Sequence, residues 1–148
     1  MTREEALTYT ARLCNKAEYC RAEIATKLRV KGLSAGDIEA VVDELERQRL
    51  VDDRRFALTF VRTKFRNQLW GRRKIAIELQ RRRIARAAID EALGQITDRE
   101  YTAALRALID RKTRTIATPI DAPSRASLAR TLIGRGFEPS IVFSLLPR

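Results

Sequence analysis

With 148 residues, a net charge of +11 and no histidine, the chain has room for a few small modules at most and lacks the residue on which most zinc sites and nucleophile–base pairs depend. Hydrophobic residues at 45% against 33% charged supply a modest aliphatic core, and six glycines with four prolines exclude collagen-like and low-complexity chains. No apolar run approaches the ~18 residues of a membrane span, and the opening Met1-Thr2-Arg3-Glu4-Glu5 has no apolar signal block, so a cytoplasmic protein without membrane association is expected.

Apolar residues recur at spacings of three and four and nowhere alternate as in a strand, which predicts an all-α fold. The first helices are predicted at 4–16, 20–31 and 35–48. Cys14 and Cys20 fall in this stretch and are expected to be reduced, partly buried thiols. A thiol at the head of the second helix caps it poorly, although Glu23 stands three residues on, where a capping box would place it. Gly32 ends that helix, followed by Leu33 in the turn.

The next helices are predicted at 53–67, 71–82 and 86–95. Asp52 and Asp53 precede Arg54, Arg55 and Phe56, where carboxylates cap the free amides of a helix start; no further oxygen ligands follow at metal-loop spacing. The last helices are predicted at 99–114, 124–134 and 139–146. Between the first two of them, Thr113 to Pro123 carries Pro119 and Pro123 without periodicity and is expected to be a flexible connection.

These nine helices form three groups of three. Ile24, Leu28, Leu33, Ile38 and Val42 recur 51 positions later as Ile75, Leu79, Ile84, Ile89 and Leu93. A further 53 positions leads from Ile75, Leu79 and Ile84 to Leu128, Leu132 and Phe137, and a one-residue deletion then brings Ile141 and Leu145 into line. The repeats are drawn at 1–50, 51–97 and 98–148, in an elongated, curved row. The helix stop is Gly32 in the first repeat and Gly136 in the third, but Arg83 in the second. A left-handed arginine there would cost on the order of 1 kcal/mol and would hint at use; a differently ended helix is the alternative.

Charge is concentrated in the second repeat. The first 61 residues sum to zero, whereas residues 62–86 carry ten basic side chains against the single acid Glu78. With Ile75 and Leu79 toward the core, Arg73, Lys74, Ile77 and Arg81 face outward, with Trp70 on the same side. Together with Arg72, Arg82 and Arg83 they form the candidate partner- or DNA-binding set, since cations beside apolar and aromatic groups suit nucleic acid or acidic protein. Packing between repeats is the commoner fate of an indole placed like Trp70. No phosphate-cradling glycine loop follows a strand, so neither catalytic residues, a metal nor a cofactor is expected.

Tyr19, Arg21, Glu23, Leu28, Lys31 and Gly32, then Leu50, Asp52, Asp53, Arg55, Phe56, Ala57, Val61 and Arg62, give the chain a resemblance to the RecX family of bacterial regulatory proteins. Gly71, Arg73, Ile75, Glu78 and Leu79 continue it in the second repeat, and Leu132, Arg135, Gly136, Phe137 and Ile141 in the third. The family often has serine where Cys20 stands and glycine where Arg83 stands. The resemblance implies a non-enzymatic, monomeric regulator that lies in the groove of the RecA recombinase filament on DNA, mostly restraining ATP hydrolysis, strand exchange or filament growth. The rival reading is a helix-turn-helix-like regulator acting directly on duplex DNA, against which the near charge balance of the first repeat speaks.

Overall fold

A computed structural model describes residues 1–148, and every regular element in it is helical. The elements are α1 (Arg3–Lys16), α2 (Arg21–Val30), α3 (Ala35–Arg47), α4 (Asp53–Gln68), α5 (Arg72–Arg81), α6 (Arg86–Leu93), α7 (Asp98–Thr113), α8 (Ala122–Gly134) and α9 (Pro139–Leu145). Five of the starts follow from side chains that accept the free first-turn amides: Thr2 in a full capping box with Glu5, Ser34, Asp52, Thr97 and Asp121. No helix is long and apolar enough to cross a membrane.

The repeat is visible in the backbone. Gly32, Arg83 and Gly136 all adopt left-handed conformations, with φ of 86°, 56° and 100°. At each, the amide three residues past the helix returns to the carbonyl five residues earlier: Leu33 to Leu28, Ile84 to Leu79 and Phe137 to Leu132, all at 3.2 Å. Arg83 therefore holds the glycine conformation, and the alternative of a differently ended helix falls away.

The third repeat needs no deletion. Val142 and Leu146 are the buried residues of the last helix, with Ile141 and Leu145 only half-buried, so a constant shift of 53 runs through from Ile89 and Leu93. Both pairs are aliphatic at i and i+4, so periodicity alone does not choose between them. The choice is made by the position of the helix start, where Pro139 occupies the first turn.

Two cores form. Ala6, Ile24, Leu28, Leu33, Ile38, Val41, Val42, Leu45 and Val51 close the α1–α3 bundle, while a second, continuous core runs from Phe56 on α4 to Leu146 past α9. The α4–α6 and α7–α9 units are fused through Phe65, stacked on Tyr101 at 5.8 Å, and Phe137, tilted against the same ring at 5.4 Å. At this joint Gly71 lies so close to the Gly136 turn that a Cβ would sit 2.2 Å from the Gly136 carbonyl carbon. The segment after α7 is an irregular connection, as expected, anchored near its end by Ile120 against the shared core and by Asp121 capping α8.

The joint between α1–α3 and α4–α6 is polar by comparison. Asp53 accepts the Arg21 amide at 2.8 Å, supplying from α4 an acceptor at the start of α2, where the Cys20 thiol makes no capping bond. Glu18 pairs with Arg55 at 2.8 Å and Glu23 with Arg82 at 3.4 Å. Cys20 crosses over, fully buried in the second core with half-buried Ala22 packed against it, and burial pushes the thiol up to about 11. Cys14 is half-buried. The accessible surface is 9118 Å², whereas a compact monomer of 16.9 kDa would show about 7,700 Å². The excess reflects an extended arrangement of small bundles.

A basic and aromatic face on the second repeat

Left-handed Leu69 ends α4, and the Trp70 amide returns to the Lys64 carbonyl at 3.0 Å. That turn folds the indole back toward α4, where its edge meets the Phe60 ring at 6.2 Å and an interplanar angle of 72°. Lys64 and Lys74 place their ammonium groups 4.8 Å and 4.3 Å from the indole centroid. Lys64 also lies 5.4 Å from the Phe60 ring, and the Arg82 guanidinium 5.0 Å from the same ring. The result is a ladder of Lys74, Trp70, Lys64, Phe60 and Arg82, in which each cation is held against the negative face of a ring. The aromatic partner of Trp70 is thus in its own repeat rather than across a repeat boundary.

The eight residues singled out in the sequence separate into four environments. Arg73, Ile77 and Arg81 are exposed, Ile77 at 47%, beside the half-buried Trp70 and Lys74; Arg81 spends its charge partly on Glu78 at 2.8 Å. Arg72 turns to the third repeat. Its guanidinium lies 3.9 Å from the Tyr101 ring centroid and pairs with Asp98 at 2.7 Å and Glu138 at 3.3 Å. Arg82 turns to the first repeat, bridging Glu23 and Glu78 and donating to the Glu78 carbonyl at 2.9 Å. Arg83 lines a groove between the first and second repeats. Lys64 and Phe60 were missed. Lys64 lies within the basic run, but its distance from Trp70 depends on the turn at Leu69, which no spacing along the chain expresses.

Three neighbouring amides at the α5 start are consumed by the third repeat. Gly71 donates to the Arg135 carbonyl at 2.8 Å, Arg72 to the Tyr101 hydroxyl at 3.0 Å and Arg73 to the Gly136 carbonyl at 3.0 Å. Tyr101 in turn donates to Glu138, and burial together with that carboxylate pushes its phenol above the ordinary range. This helix end is closed to an anion, so anion contacts on this face come from side chains. Asp52 accepts the Arg55 amide at 3.0 Å, and burial raises the Asp53 carboxyl despite the Arg21 amide it accepts. Both are helix-start acceptors, Asp53 for α2 rather than for its own helix.

Family models agree with this architecture: residues 6–45 match the first three-helix domain of RecX and residues 52–93 its second. The regulatory protein RecX of Pelodictyon phaeoclathratiforme is 30% identical over 133 residues, covering 90% of this chain and 81% of that protein. The regulatory protein RecX of Pseudomonas putida is 33% identical over 134 residues, covering 90% and 84%. Among solved structures, RecX from Lactobacillus salivarius superposes with a TM-score of 0.85 at 18% identity, covering 97% of this chain and 93% of that one. A second crystal structure of regulatory protein RecX gives the same TM-score at 22% identity, covering 97% and 70%.

Proposed function

Because the chain belongs to the RecX family of regulatory proteins, we propose that it binds a RecA-type recombinase filament on DNA and restrains its ATP hydrolysis, strand exchange and growth. The observation that carries this reading is the cation–aromatic ladder on the second repeat. Exposed Arg73 adjoins Lys74 of the ladder, and Glu78 is the one acid among residues 62–86. Lysines attract phosphate or acidic protein, and the Trp70 ring with exposed Ile77 adds stacking and apolar contact. Arg72 and Arg82 serve this face indirectly by holding the neighbouring repeats on either side.

Three repeats, at 1–50, 51–97 and 98–148, would let one monomer touch adjacent filament subunits, with effective concentration tightening the whole. Inhibition then works as a coupling between the binding surface and the filament's own ATP sites, so it saturates with occupancy. A duplex-reading helix-turn-helix role fits less well. Helix α3, the reading helix of such a unit in the first repeat, carries Asp37, Glu39, Asp43, Glu44 and Glu46, which phosphates repel.

The test is co-sedimentation with recombinase filaments assembled on single-stranded DNA, followed by ATP hydrolysis against bound fraction. Binding with saturable inhibition is expected. A footprint on defined duplex DNA without recombinase, and no binding to the filament, would replace this reading with the helix-turn-helix one.

A further inference from the structure

A broad concavity lies at the joint of the first two repeats. Ala22, Ala25, Leu33, Ala35, Ile38 and Val42 supply its apolar lining, and Arg21, Arg29 and Arg83 stand about it. Arg21 is committed to Asp43 at 2.8 Å and Glu46 at 3.1 Å, and Asp53 to the Arg21 amide. Arg29 and Arg83 are exposed, and neither has a carboxylate within ion-pair distance. Glu39 is the one remaining acid of the lining.

Arg83 makes this more than a crevice between bundles. It sits at the station where the other two repeats have glycine, in a left-handed conformation with φ of 56°. Nothing about the helix stop requires a side chain there, because Gly32 and Gly136 form the same turn. In the third repeat a side chain at this station is impossible, since Gly136 abuts Lys74. In the second, the guanidinium is held at the groove at the expense of backbone strain, and strain of this kind gathers at binding sites.

The geometry points to this groove as a docking site for a segment of a partner protein that carries aliphatic side chains flanked by carboxylates. The apolar lining accepts the aliphatic groups, and Arg29 and Arg83 meet the carboxylates. A guanidinium takes a carboxylate bidentately and with directional specificity. Nucleic acid fits worse, because a phosphate backbone has no aliphatic groups to set against Ala22, Ala25 and Ala35, the part of the apolar lining left accessible. On the functional reading above, on which this inference rests, the partner is a recombinase subunit, and the groove is a second contact distinct from the Trp70 ladder.

Arg83→Gly is the decisive variant, since it restores the residue of the sister repeats and is expected to fold with unchanged or raised thermal stability. Its affinity for recombinase filaments should fall about ten-fold or more, the worth of a lost charge-assisted contact, while binding to single-stranded DNA alone stays as it was. A photoreactive benzoylphenylalanine in place of Ala25 should crosslink the recombinase polypeptide, at a peptide with Asp or Glu beside aliphatic residues. Unchanged filament affinity of the Arg83→Gly variant, or a crosslink only to DNA, overturns the docking proposal while leaving the functional reading intact. Failure of the wild-type chain to bind filaments at all removes both together.

Discussion

Replacing Gly71 with alanine should damage the joint between the second and third repeats out of proportion to the single carbon added. The new Cβ would lie 2.2 Å from the Gly136 carbonyl carbon, 2.3 Å from its oxygen and 2.3 Å from the Phe137 nitrogen. All three are backbone atoms, which cannot rotate away. Restoring ordinary carbon contact near ~3.5 Å means parting the two backbones by about 1 Å. That movement breaks or stretches the hydrogen bonds from Gly71 to Arg135 and from Arg73 to Gly136, at 2.8 Å and 3.0 Å. Each is worth about 0.5–1.5 kcal/mol net, and overpacking adds about 1–3 kcal/mol, so the loss should reach about 2–6 kcal/mol. Gly32→Ala is the internal control. Unlike the extended Gly71, it is left-handed, with φ of 86°, but it has no neighbour within 4 Å of the added carbon, so it should cost only the conformational penalty of about 1–2 kcal/mol. Urea unfolding with linear extrapolation measures both. A Gly71→Ala chain within about 0.5 kcal/mol of wild type, or one no worse than Gly32→Ala, would refute the account of this joint.

Leu28→Ala, Leu79→Ala and Leu132→Ala, all fully buried at one repeat station, should each lose about 2–5 kcal/mol in the same assay; a surface-like loss at any one of them breaks the register. Arg72→Ala should destabilise measurably because it removes the partner of Asp98, Glu138 and the Tyr101 ring, whereas exposed Arg73→Ala should leave the urea midpoint unchanged and weaken filament binding. Changing Lys64, Arg73 and Lys74 together to alanine should weaken binding and flatten its dependence on salt, read from affinities between low and moderate ionic strength; an unchanged slope means the ladder is not the contact face. Stability should fall in alkali. The Cys20 thiol and Tyr101 phenol are held protonated in the folded chain beyond their ordinary values of 9.0 and 10.0. The unfolded chain therefore loses those protons first, and the contribution, complete below about pH 9, disappears as pH rises toward and past 11. Urea midpoints at a series of pH values check this, with Tyr101→Phe giving a shallower fall; a midpoint that climbs with pH contradicts the assignment.

Local chemistry along the chain was enough to determine that the protein is helical, that its helices repeat at intervals of 51 and 53, and where its charge collects. Helical periodicity, caps such as Asp52 and stops such as Gly32 each depend on residues a few positions apart. The same locality left the third repeat ambiguous, because Ile141/Leu145 and Val142/Leu146 are equally good aliphatic pairs until the helix start is placed. Tertiary structure decided what the arginines do. Arg72, Arg73 and Arg82 look interchangeable in a basic run, yet Arg72 is bound to Asp98, Tyr101 and Glu138, Arg82 to Glu23, and Arg73 to no carboxylate. A charge's role is set by which opposite charges and rings approach it, and Glu23 and Glu138 come from 59 and 66 residues away. The unequal joints were decided at the same level: two glycines 65 residues apart permit backbone contact between the second and third repeats. Between the first and second repeats, a cap borrowed through Asp53 and two ion pairs leave a groove open.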